Sequence, residues 1–98
     1  MPILLDLNNP AFQDDWFSIG KDEQLAVLSS CRKLRQMDWD MVHRDKGFHW
    51  EAIQSRKGRD NTKLYTIRMS RKMRAVVKRS GDYLEFLALH PDHDSAYE

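Results

Sequence analysis

The sequence predicts an α+β domain, with N-terminal helices packed on one face of a C-terminal antiparallel β-sheet. Three observations point there. Apolar residues recur at helical spacing as far as Gly47, they alternate at strand spacing from Lys63 onward, and turn residues divide that second half into consecutive strand-length segments. At 98 residues, 41% of them hydrophobic, the chain suits one domain over residues 1–98 with one core, and it leaves no room for a separate cofactor domain.

Taken in order, Ile3, Leu4 and Leu5 form a short apolar run suited to an edge strand, interrupted by Asn8-Asn9-Pro10. Asn9 can cap a helix, and Pro10 suits its first position because that N–H has no helical partner. Phe12, Trp16 and Ile19 then line one face, and Gly20 is expected to close the segment. A longer helix is predicted from Asp22, with Leu25, Val27, Leu28, Cys31, Leu34 and Met37 as a broad apolar stripe and Lys33, Arg35 and Gln36 outward. Asp22 and Glu23 at its start and Arg32 to Arg35 at its end suit the helix dipole. Trp39 to Lys46 reads as a helical turn ended by Gly47, and Trp16, Trp39 and Trp50 as core or interface anchors.

Beyond Gly47, Trp50 to Ser55 is a short strand and Arg56 to Thr62 a polar loop. Lys63 to Ser70, Lys72 to Arg79 and Tyr83 to His90 follow as three strands. A three-residue loop at Ser70-Arg71-Lys72 sets Met69 against Met73, Ile67 against Ala75 and Tyr65 against Val77 as one apolar face. The same register puts Arg68 opposite Arg74. A two-residue turn at Gly81-Asp82 continues the apolar face with Leu84, Phe86 and Ala88 and pairs Lys78 with Glu85. Arg68, Arg74 and Lys78 then share the other face, outward from the core. Such an arginine pair either solubilises the face or holds an anion between two guanidiniums.

Charge is distributed unevenly. The total is +1, yet Arg56 to Arg79 holds ten basic residues against Asp60 alone, a net +9, which leaves −8 for the remainder. An acidic body with one basic stretch can bind a polyanion locally. Cys31 has no partner for an internal disulfide, no run is long enough for a membrane helix, and the N-terminus lacks a secretory pattern, so a cytoplasmic protein is expected. His90, His93, Asp92, Asp94 and His49 carry metal-ligand chemistry but match no recognised zinc spacing, and neither metal nor cofactor is expected.

The order Tyr65-Thr66-Ile67-Arg68, Lys72-Met73-Arg74, an apolar strand after Gly81-Asp82, and a terminal His93-x-x-x-Tyr97 resembles the RelE/ParE superfamily of toxin–antitoxin toxins. Thr66 stands where some members have a lysine. The resemblance implies a RelE-like fold, a cognate antitoxin and, in the nuclease branch, ribosome-dependent cleavage of mRNA by 2′-OH attack on the adjacent phosphate without metal. It implies catalytic roles for Arg74 at the phosphate, Arg68 beside it, His93 as acid or base and Tyr97 as the aromatic that orients the nucleotide. Arg59, Lys63, Arg71, Lys72 and Lys78 are the expected RNA contacts. The alternative is a non-enzymatic protein of the same fold, either a gyrase-inhibiting toxin or a partner-binding module.

Overall fold

The computed structural model describes residues 2–57 and 63–91. Their order is β1 (Leu4–Asp6), α1 (Pro10–Ser18), α2 (Lys21–Leu34), α3 (Trp39–Arg44), β2 (Glu51–Lys57), β3 (Lys63–Arg68), β4 (Met73–Ser80) and β5 (Tyr83–Pro91). The strands form one sheet in the order β1-β5-β4-β3-β2. β2 to β5 are an antiparallel meander, and β1 returns to pair in parallel with β5 at Leu4 with Tyr83 through Asp6 with Glu85. The C-terminal strands are antiparallel as expected, and β1 is the edge strand that the Ile3–Leu5 run suggests. A parallel pair needs a long connection, and α1 to α3 with β2 to β4 lie between these two strands in the chain.

Asn9 and Pro10 start α1 as expected, and Asp38 starts α3. The Asn9 side chain accepts from the Ala11 N–H at 2.8 Å, and Asp38 caps α3 through the Met41 N–H at 3.0 Å. Gly20 differs from its expected role. With φ −65° and ψ 158° it is the extended residue that begins α2, while Ile19 terminates α1. The Gln24 side chain ties the two helices by donating to the Trp16 and Phe17 carbonyls.

All three helices pack on the same sheet face. Phe12, Val27, Cys31, Leu34, Trp39 and Val42 join Ile67, Met69, Met73, Ala75, Val77, Leu84, Phe86 and Leu89 in one buried cluster. The apolar stripe of α2 is narrower than its sequence suggests, because Leu25 is 51% and Leu28 42% exposed. Hydropathy defines a stripe but not how much of it a sheet can cover.

Both hairpins have the predicted register. Tyr65 faces Val77, Ile67 faces Ala75 and Arg68 faces Arg74, while Lys78 faces Glu85 across the Gly81-Asp82 turn. Gly81 sits at φ 62°, a left-handed conformation that glycine adopts without a Cβ penalty. β5 departs from expectation after Phe86. Val77 pairs with Phe86 and Val76 with Ala88, so Leu87 is an extra residue, a β-bulge. Every later side chain changes face: Leu89 enters the core in place of the expected Ala88, and His90 turns to the opposite side. β2 also runs further than predicted, taking Arg56 and Lys57 into the strand, with Lys57 opposite Lys63.

Candidate active site on the sheet face away from the helices

Cross-strand partners share a face, so the register alone builds a row of Arg68, Arg74 and His90 on β3, β4 and β5. The next row on the same face contains Glu51, Thr66, Val76 and Ala88. Five ionisable or hydroxyl side chains are thereby gathered over the middle of the sheet.

Arg74 does not project into solvent as expected. It is only 7% exposed, although it lies on the face opposite the core. Its Nη2 donates to Thr66 Oγ1 at 2.8 Å and to the His49 carbonyl at 3.2 Å, and lies 4.0 Å from Glu51 Oε1. These contacts anchor the guanidinium at Nη2, and fixed donors stabilise developing negative charge without reorganising. Arg68, half-buried, presents the second guanidinium from the neighbouring strand, and its backbone N–H donates to the Phe48 carbonyl at 2.7 Å. Arg68 also lines a cleft of about 170 Å³ shared with Ser30, Lys33, Gly47, Phe48, Met69 and Ser70.

His90 is exposed, with Nδ1 3.1 Å from the Pro91 carbonyl. A carbonyl can only accept, so in this contact Nδ1–H is the donor. Glu51 lies at the other end, its carboxylate between Arg74 and His49 Nε2, which is 3.8 Å from Oε2.

Of the residues expected to form a site, Arg68 and Arg74 are brought together. Lys78 lies further along the same face in a 3.9 Å ion pair with Glu85. Lys63, Arg71 and Lys72 are exposed, Lys63 at the start of β3 and the other two in the β3–β4 turn. Arg59, His93 and Tyr97 lie outside the described residues. Sequence reasoning missed Glu51, Thr66 and His90 as partners of the arginines. His90 had one available signal: without a bulge its imidazole would point into the apolar face and Leu89 out of it, a poor exchange that one extra residue avoids.

Burial also acts on Cys31, which packs within the core and whose thiol is pushed up to about 11 by loss of hydration. It plays no part in the site. Among the described residues no helix is long and apolar enough to cross a membrane.

This arrangement of helices and strands is a RelE-like α+β fold. A chain of the archaeal RelE–RelB complex from Pyrococcus horikoshii OT3 superposes with a TM-score of 0.67 at 18% identity, covering 96% of this chain and 99% of that one. A copper-bound mutant toxin from Helicobacter pylori gives 0.54 at 17% identity over 92% and 94% of the two chains. The YoeB dimer from Staphylococcus aureus gives 0.54 at 11% identity over 90% and 94%. No protein-family model and no curated protein matches the sequence.

Proposed function

We propose that this chain is the toxin of a toxin–antitoxin system and acts as a metal-independent endoribonuclease on ribosome-bound mRNA. The observation that supports this best is the paired guanidiniums of Arg68 and Arg74, flanked by Glu51 on β2 and His90 on β5. Attack of a ribose 2′-OH on the adjacent phosphate needs a base and an acid on opposite sides of phosphorus and cations over its equatorial oxygens. β2 and β5 are three strand spacings apart, about 14 Å, which leaves room for a phosphodiester above the arginines with both side chains reaching inward.

In this mechanism Glu51 removes the 2′-OH proton. Arg68 and Arg74 stabilise the dianionic phosphorane. His90, entering as the imidazolium, then gives its Nε2 proton to the departing 5′-oxygen and is left neutral, with a 2′,3′-cyclic phosphate and a 5′-hydroxyl as products. His93 and Tyr97 keep their proposed roles as a further acid–base group and the aromatic that orients the nucleotide, and Lys63, Arg71, Lys72 and Arg59 that of RNA contacts. The likeness to a RelE–RelB complex supports an antitoxin as partner.

The test is induction in a host followed by mapping of mRNA 5′ ends. Growth arrest with new internal ends is expected. Glu51→Gln and His90→Gln should each slow cleavage by about 10²-fold or more, and Arg74→Lys by a similar factor. Growth arrest accompanied by cleaved DNA and intact mRNA would replace this reading with gyrase inhibition, and a folded R74K variant of full potency would remove the site assignment.

A further inference from the structure

His49 is the one non-glycine residue at positive φ among the described residues, at 49°. Side chains rarely adopt that conformation, because Cβ crowds the following carbonyl. It persists here because the main chain leading into it is pinned. Phe48 N–H donates to Asp45 Oδ1 at 3.0 Å, His49 N–H donates to the Asp45 carbonyl at 3.2 Å, and the Phe48 carbonyl receives the Arg68 N–H. The left-handed turn has two consequences for the site: it aims the His49 carbonyl at Arg74 Nη2, and it places the ring beside Glu51. A strained residue whose main chain meets Arg74 and whose side chain meets Glu51 is a reason to look for a role rather than a defect.

We propose that His49 is a positioning residue for Arg74 and Glu51. Its left-handed backbone holds the guanidinium, and its ring restrains the outer oxygen of the carboxylate. This rests on the ribonuclease reading for its catalytic consequence, but the geometry can be tested apart from it. The carbonyl contribution belongs to the turn, not to the imidazole. Substitutions therefore separate by their tolerance of positive φ: glycine and asparagine keep the turn and lose the ring, whereas a β-branched valine loses both.

The experiment compares H49G, H49N and H49V on a reporter mRNA in a purified translation system, with thermal unfolding as the check on folding. H49G and H49N are expected to retain at least about a tenth of the wild-type kcat, and H49V to fall a further ~10-fold or more in kcat with KM little changed. The H49V loss should shrink in an Arg74→Lys background, because both changes act on one group. Equal kcat in H49G and H49V, or full additivity with R74K, would overturn the proposal. If the wild-type chain cleaves no RNA, the ribonuclease reading fails by itself and the nitrogen-15 spectrum decides the positioning role. An Arg74 Nη–H signal slow to exchange in wild type and H49G but lost in H49V supports it, and the same exchange in both variants rejects it.

Discussion

A guanidinium that is 93% hidden from water needs partners, and Arg74 takes them from three directions: a hydroxyl on β3, a carbonyl in the turn before β2 and a carboxylate on β2. Removing one partner leaves charge without its hydrogen bond. Thr66→Val, which keeps the shape of the side chain, should therefore destabilise the protein by about 1–3 kcal/mol in urea unfolding, and it should reduce cleavage because the guanidinium loses its shortest tether. Arg74→Ala is a poorer probe than its outward position suggested, since it leaves Thr66 and the His49 carbonyl unsatisfied and opens space above β3. Cys31 illustrates burial acting alone. With its thiol raised to about 11 it should react with a disulfide reagent in the native protein at less than about one hundredth of its rate in denaturant, and equal rates would show that the α2 core opens readily.

The bulge at Leu87 decides what β5 presents on each side. Inserting one alanine between Ala88 and Leu89 would move Leu89 to the site face and turn His90 into the core, at an expected cost of at least about 2 kcal/mol from one leucine exposed and one imidazole buried. Loss of cleavage should accompany it, and an unchanged unfolding midpoint would show that β5 slips to restore the register. The turn at Gly81 tests the neighbouring hairpin. A Cβ there meets nothing within 4 Å, so Gly81→Ala should cost only the left-handed penalty, about 1–2 kcal/mol. These elements also mark how far the sequence could be read. The Arg68–Arg74 pair was legible because a loop length and an apolar alternation fix one register between them. The position of His90 was not, because a single unpaired residue upstream inverts the face of everything after it. The partnership of Glu51, Thr66 and Arg74 depends on β2 folding back against β3, where a register shift separates the pair at Ala52 from that at Lys57 and defeats counting. The exposure of Leu25 and Leu28 was equally hidden, since the covering surface is set by the whole helical layer.

For the molecule as a whole, a net charge of +1 beside a local +9 means that the proposed RNA recognition would run through few phosphates. If about three are neutralised, raising salt from 50 to 200 mM should weaken RNA binding by roughly 10–20-fold, and a loss of 10³-fold or more would indicate a much wider basic footprint. The proposed chemistry needs only side chains, so cleavage of ribosome-bound mRNA should survive chelation of transition metals at constant magnesium. Complete loss, with peptide-bond formation intact, would return the histidines to the role of metal ligands. The parallel pairing of β1 with β5 has a consequence in time. The first strand to be synthesised has no partner until the last one is made, and the same last strand brings His90 beside Arg74. Such long-range closure is slow relative to local helix formation. A nascent chain can fold its helices early, but it cannot assemble this site while β5 is still within the ribosome that makes it.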